Sequence, residues 1–143
     1  MNLTLAIILA LLAVIGSTAL HYEAIRRMDR IARRANRPYP TLLVVISGLV
    51  ALHLIEISVY AILFALSVGP LGLGAFGGST PNSPMAYIYY AAEAYASLGY
   101  GDVVPTGEMR LIASIAPLNG ILLLTWSGSF LFSLVEDWRS RAL

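Results

Sequence analysis

The stretch that decides the fold is residues 83–107, SPMAYIYYAAEAYASLGYGDVVPTG, which lies between two long apolar segments. Ser83 followed by Pro84 predicts a helix start, because serine caps helices and proline suits the first helical position. A helix over residues 84–96 would be about 20 Å long, too short to cross a hydrocarbon core of about 30 Å. Residues 97–107 cannot stay helical, and such backbone is tolerated at membrane depth only inside protein or along water. We therefore expect this stretch to enter a membrane and turn back.

The apolar segments on both sides of this stretch are long enough to span a membrane. Between residues 41 and 69 only His53 and Glu56 interrupt the apolar run with a basic or acidic side chain, and residues 111–135 carry no charge. Thr41 is predicted to cap the first of these two helices. The composition agrees, since 58% of the residues are hydrophobic and 12% are charged, against roughly 45–50% and about 25% in soluble domains. A membrane protein is therefore predicted.

The N-terminal part adds a third span. Residues 1–20 carry no charged side chain, whereas residues 21–40 hold six arginines. Short loops rich in arginine stay on the cytoplasmic side, so we expect a basic cytoplasmic segment over 21–40. A cleaved signal peptide is disfavoured, because no basic residue precedes the apolar run. The predicted topology has the N-terminus outside and the C-terminus cytoplasmic, in a plasma or bacterial inner membrane.

The composition also excludes several classes of function. The chain has no cysteine, which excludes disulfides and thiolate metal sites. A formal net charge of +1 argues against a nucleic-acid binder. No nucleophile and base lie at a plausible spacing, so we expect no enzyme, no catalytic residue and no cofactor.

The central motif is Ser97-Leu98-Gly99-Tyr100-Gly101-Asp102. It resembles the potassium channel signature, T-V-G-Y-G, which is usually followed by aspartate. A dehydrated K⁺ ion needs oxygens in place of its water shell, and stacked rings of backbone carbonyls from four chains supply them. Glycine at alternate positions lets those carbonyls face the same way, because it adopts dihedrals that other residues avoid.

The resemblance to the two-helix potassium channel pore domain covers residues 41–138. It implies an all-α membrane protein with three transmembrane helices, a re-entrant pore helix and a selectivity-filter loop, assembled as a homotetramer that conducts K⁺ passively. One chain supplies one carbonyl to each ring, so four copies are needed. The implied elements are an outer helix over 41–69, a loop over 70–83, a pore helix over 84–96, a filter over 97–102 and an inner helix over 108–136.

The resemblance assigns a role to each residue of the predicted filter. K⁺ would bind at Ser97, Leu98, Gly99 and Tyr100, and Gly101 would complete the filter. Ser97 stands where the family has threonine, and Ala96 replaces a second threonine. These departures leave open a weakly selective cation channel, and a non-conducting pore-loop scaffold or sensor is a further alternative.

The resemblance also implies residues that support the filter. Tyr89 and Tyr90 match the aromatic pair that forms a cuff around it, and Glu93 and Asp102 match carboxyls that meet behind it. Two carboxyls in contact would share a proton or a bridging water. The alternative is that Glu93 faces water near the pore mouth.

In the predicted inner helix, one spacing and several small residues indicate positions with a role in the pore. Gly120 lies ten residues after Arg110, a spacing similar to that of the family's arginine and hinge glycine. A bend here and close helix packing are both open interpretations. We expect Ile121, Leu124 and Gly128 to line the central cavity of the implied pore.

Two further groups of side chains have alternative interpretations. His53 and Glu56 share one helical face and are interpreted as a buried hydrogen-bonded pair that locks two spans together, a pH-sensing element or, least favoured, a metal site. The arginines of the basic segment either set the topology alone or bind anionic lipid. The arginines concerned are Arg26, Arg27, Arg30, Arg33 and Arg34.

Overall fold

Four helices account for most of the computed structural model, which describes residues 2–35, 37–78 and 83–141. They are α1 (Asn2–Ala32), α2 (Pro38–Val68), α3 (Pro84–Tyr95) and α4 (Met109–Arg141). Helices α1, α2 and α4 are long and apolar enough to cross a membrane. Helix α3 has 12 residues, about 18 Å, and does not span. The predicted all-α membrane fold with three spans is confirmed.

Helix α1 packs against both α2 and α4. Its buried face is a stripe of mostly small side chains, including Ala6, Ala10, Ala13 and Ser17. Small residues let helix backbones approach closely in a membrane. The outer face carries exposed leucine and isoleucine, as lipid contact requires. The first span is therefore an integral layer of the helical bundle.

Helix α1 does not end where the apolar run ends at residue 20 but continues through the basic segment to Ala32. Two ion pairs with helical spacing support this extension, with Glu23 2.7 Å from Arg27 and Asp29 2.6 Å from Arg33. Such pairs stabilise a helix once it is nucleated. The resulting helix is about 46 Å long, so one end extends beyond the hydrocarbon core.

Helix α2 begins three residues earlier than predicted, and Thr41 is not its cap. The Thr41 hydroxyl donates a hydrogen bond to the Arg37 carbonyl over 2.7 Å, and Arg37 occupies the N-cap position without a side-chain cap. Pro38 starts the helix because its missing N–H and fixed φ cost nothing in the first turn. The helix therefore begins at the prolines and not after them.

A two-stranded sheet joins the loop after α2 to the segment after the filter. Strand β1 (Phe76–Gly78) pairs antiparallel with β2 (Val103–Pro105), where the sequence predicted an irregular loop. The backbones approach so closely that a Cβ on Gly78 would lie 2.0 Å from the Asp102 carbonyl oxygen. The sheet therefore fixes the outer end of the predicted filter to the loop. Residues 79–82 of that loop lie outside the described part of the chain.

Candidate functional site

Helix α3 begins at Pro84 as predicted and ends at Tyr95, one residue before the predicted end, with Ala96 as its C-cap. The Ser83 side chain accepts a hydrogen bond from the Ala86 N–H over 3.1 Å, which confirms the N-cap. The last turn closes when the Leu98 N–H donates to the Glu93 carbonyl over 2.9 Å. The predicted filter therefore starts directly at the C-terminal end of α3, where the helix dipole places a partial negative charge that favours a cation.

The backbone of this segment alternates between left-handed and ordinary conformations. Ser97, Gly99 and Gly101 have φ of 58°, 64° and 79°, whereas Leu98 and Tyr100 between them have no positive φ. A non-glycine residue with positive φ is uncommon, so the fold itself imposes this conformation at Ser97. The alternation is the pattern in which successive carbonyls can face one side.

The same segment is exposed in the single chain. Leu98 is 55% exposed and Tyr100 is 65% exposed, and the flanking residues from 96 to 102 are exposed as well. Large apolar side chains exposed together mark a surface that another molecule covers. In a single chain this segment is therefore an exposed surface that other residues of the same chain do not cover.

The two tyrosines of the predicted cuff point to different neighbours. The Tyr89 ring stacks on Tyr100 with 6.3 Å between centroids, and its hydroxyl donates to Asp102 Oδ1 over 3.2 Å. Desolvation and this hydrogen bond raise the pKa of the Tyr89 phenol, so it remains the donor. Tyr90 instead packs in the protein core against Phe64 and Phe76. Of these two tyrosines, Tyr89 is the one with a ring contact or hydrogen bond to the predicted filter segment among the described residues.

Glu93 lies behind the filter segment and is 4% exposed, which rules out the alternative that it faces water. Its Oε1 atom accepts a hydrogen bond from the Gly101 N–H over 3.2 Å, and its Oε2 atom is buried without a partner. Among the residues that the structure describes, no hydrogen bond joins Glu93 to Asp102. The expected direct contact is absent because each carboxyl has a different partner, the Gly101 amide or the Tyr89 hydroxyl.

Gly120 is a packing position between α4 and the end of α3. A Cβ built on Gly120 would lie 2.0 Å from the Tyr95 carbonyl oxygen and 2.8 Å from its carbon. Helix α4 runs without a break past Pro117. Of the two open interpretations, the geometry favours close packing. Ile121, Leu124 and Gly128 share the exposed surface of α4, so their cavity role stays a prediction.

His53 and Glu56 belong to a larger cluster that joins all four helices. We call the side chains of His21, His53, Glu56, Tyr95 and Ser127 the four-helix cluster. His21 and His53 each place Nδ1 against Glu56, at 2.9 and 3.0 Å. Tyr95 donates its hydroxyl hydrogen to Glu56. Ser127 Oγ lies 3.0 Å from His53 Nε2 and 3.4 Å from His21 Nε2.

The sequence did not predict three members of this cluster. His21 falls in the predicted basic segment, and no spacing in the sequence pairs Tyr95 or Ser127 with another polar side chain. A second polar contact was also missed, in which Asn119 donates to Ser17 over 2.7 Å and to Tyr60 over 3.0 Å. The available signal was that polar side chains inside spans face other helices and pair with one another.

Comparison with known proteins places the chain in a family. Residues 41–137 match the ion channel family, the type with two transmembrane helices and a potassium-channel pore. The match covers more than half of the chain, so the protein belongs to that family. It is a multi-pass membrane protein. No curated protein and no solved structure matched the chain.

Proposed function

We propose that the protein is a potassium channel that conducts K⁺ passively through a homotetrameric pore. The observation that carries this proposal is the alternation of positive φ at residues 97, 99 and 101, directly after a short helix that ends toward the ion path. Backbone carbonyls aligned in this way replace the hydration shell of a K⁺ ion. The experiment is K⁺-driven flux through the purified protein in liposomes, which barium should block. Absence of flux from correctly assembled protein would contradict the proposal.

We propose four copies of the chain because a single copy cannot surround the ion path. The exposed side chains of Leu98 and Tyr100 would be covered by neighbouring subunits, and each carbonyl ring needs one oxygen from each of four chains. We expect the mass in native nanodiscs to be four times 15.4 kDa. A dimer as the only conducting species would require another architecture.

Orientation is proposed from the arginines near the end of α1 and from Trp138 and Arg139 near the end of α4. We propose that these basic ends lie on the cytoplasmic side, with the N-terminus and the filter mouth outside. A cysteine at Glu108, an exposed position near the mouth, should react with an impermeant label in intact cells. A cysteine at Arg34 should react only after permeabilisation. The reverse pattern would overturn the orientation.

Anionic lipid is a proposed partner of the same end of α1. Glu23 pairs with Arg26 and Arg27, whereas Arg30 and Arg34 have no carboxylate within ion-pair distance among the described residues. Juxtamembrane arginines are attracted to anionic headgroups. This attraction would hold the protruding turns of α1 at the membrane surface.

Glu93 is proposed to hold the filter through the Gly101 N–H. Glu93→Ala should reduce the conducting fraction by about tenfold, because removing the acceptor leaves the Gly101 N–H without its partner, which costs about 1–3 kcal/mol for a buried donor. Glu93→Gln is the matched control, since its amide oxygen still accepts from the same N–H and it should retain most conduction. Single-channel open probability measures both. Equal loss in the two variants would mean that the charge, and not the hydrogen bond, is required.

A further inference from the structure

The four-helix cluster contains more hydrogen-bond contacts than its own hydrogens can fill. Its members come from every helix, with His21 on α1, His53 and Glu56 on α2, Tyr95 on α3 and Ser127 on α4. The side chains of His21 and Glu56 are fully buried, and Tyr95 is 1% exposed. We propose that this cluster is a proton-binding site that holds one proton beyond those of two neutral imidazoles and an ionised carboxyl.

The hydrogens around Glu56 are assigned by its chemistry. An ionised carboxylate can only accept hydrogen bonds, so each of its three neighbours must donate. His21 Nδ1 and His53 Nδ1 therefore both carry hydrogen, at 2.9 and 3.0 Å from the carboxylate oxygens. Tyr95 gives its hydroxyl hydrogen to the same group, and the His53 N–H also faces the Tyr95 oxygen at 2.9 Å. A neutral imidazole carries one hydrogen, so both Nε2 atoms are left without one.

Ser127 cannot satisfy both of those bare nitrogens. Its oxygen lies between His53 Nε2 at 3.0 Å and His21 Nε2 at 3.4 Å, and its hydroxyl has a single hydrogen. The His53 Nδ1–H fills both its contact with Glu56 and its contact with Tyr95, and the five contacts that remain when these two are counted once share four hydrogens and leave one unfilled only at Ser127. One added proton completes the set, because one Nε2–H then donates to Ser127 Oγ while the Ser127 hydroxyl donates to the other Nε2.

The net charge of the cluster also indicates one added proton. With neutral imidazoles the cluster holds the net negative charge of Glu56 among buried residues of membrane-spanning helices, where an unbalanced charge is expensive. One added proton makes the cluster neutral. A second would leave a net positive charge and two N–H groups directed at one hydroxyl oxygen. One proton is therefore the only number that satisfies both the contacts and the charge.

The groups facing the cluster supply no other charge. On α2, Tyr60 reaches it through ring contact with Tyr95, and on α4 the Trp126 ring lies 5.3 Å from the His21 ring. Neither side chain is charged at neutral pH. The described residues of α1 and α3 add no titratable partner besides His21 and Tyr95. The added proton is thus balanced by Glu56 alone.

The site goes beyond ion conduction because it ties the pore helix to the other three helices. Tyr95 is the last residue of α3, and its carbonyl packs on Gly120 of α4. Loss of the proton as the pH rises would leave one contact unfilled and an unbalanced negative charge. The contribution of the cluster to stability is therefore present while the proton is bound and is lost as the pH rises through its release.

The two rings together make this count measurable, since the chain has only two histidines and both are in the cluster. Nitrogen-15 NMR of histidine-labelled protein in nanodiscs reports the protonation of each ring nitrogen, and infrared spectroscopy reports a protonated Glu56 carboxyl. At pH 7 we expect three protons in all on the two rings and the carboxyl. The total is the same whether the added proton resides on a ring or on Glu56. A total of two or of four would overturn the proposal.

Glu56→Gln provides a second measurement with its own expected count. The amide is neutral and brings its own hydrogens, so we expect two protons on the two rings of this variant and no third proton of the kind that the rings and the carboxyl share in the unchanged protein. Glu23→Gln is the matched control, because Glu23 is a half-buried carboxyl of α1 that pairs with Arg26 and Arg27 and lies outside the cluster, and its total should remain three. Three ring protons in Glu56→Gln would contradict the assignment. Neither result depends on whether the protein conducts ions.

Discussion

Gly99→Ala and Gly101→Ala are each expected to abolish K⁺ flux while the protein still inserts and assembles. Both glycines have left-handed backbone, with φ of 64° and 79°, a conformation that costs an alanine about 1–2 kcal/mol. Nothing lies within 4 Å of a Cβ added at either position within the chain, so the cost comes from the backbone and not from a clash. The strain would occur in every copy around the pore and turn the carbonyls away from the ions.

Gly16→Ala is the matched control for these two substitutions. A Cβ at Gly16 also meets nothing within 4 Å, but Gly16 lies in α1 and has no positive φ. We expect normal flux and normal assembly in this variant. The measurement is K⁺-driven flux in liposomes, together with the assembled fraction on native gels. Normal flux in both filter variants would remove the assignment of residues 97–101 as the filter.

Gly120→Ala is expected to disrupt the contact between α4 and the end of α3. The added Cβ would lie 2.0 Å from the Tyr95 carbonyl oxygen, and that atom belongs to the backbone and cannot rotate away. Overpacking of this kind costs about 3 kcal/mol. Because Tyr95 ends the helix that directly precedes the proposed filter, we expect lower thermal stability and loss of flux together. Thermal unfolding in detergent and flux in liposomes measure the two effects.

Gly128→Ala separates this packing effect from a general effect of alanine in α4. A Cβ at Gly128 meets nothing within 4 Å, so its stability should be close to that of the unchanged protein. The hinge interpretation of Gly120 makes a different prediction, in which Gly120→Ala folds with normal stability and only its opening changes. That outcome would contradict the packing role.

The parts of the fold that depend on local sequence were predictable. The lengths of the apolar segments indicated three spans, and Ser83 with Pro84 located the start of α3 because capping involves neighbouring residues only. The glycine spacing in the motif indicated the alternating backbone at residues 99 and 101. Ser97 was the exception, since its positive φ is imposed by the helix end that precedes it.

Features that depend on distant contacts could not be read from the sequence. The pairing of Phe76–Gly78 with Val103–Pro105 joins segments that are too short to show an alternating pattern. The role of His21 depends on the packing of α1 against α2, which composition and spacing do not specify. The sequence does not distinguish the two interpretations of Gly120, because glycine suits both a helix bend and a close contact between helices. In each case the missing information was which residues of another element lie opposite.

The preference of the pore for K⁺ over Na⁺ can be measured directly. Purified protein in a planar bilayer, with K⁺ on one side and Na⁺ on the other, gives a reversal potential that reports which ion crosses. A filter of backbone carbonyls from four chains predicts a reversal potential close to that of a K⁺-selective membrane, and block of the current by barium. A reversal potential near zero, or no current from assembled tetramers, would contradict a K⁺-selective pore.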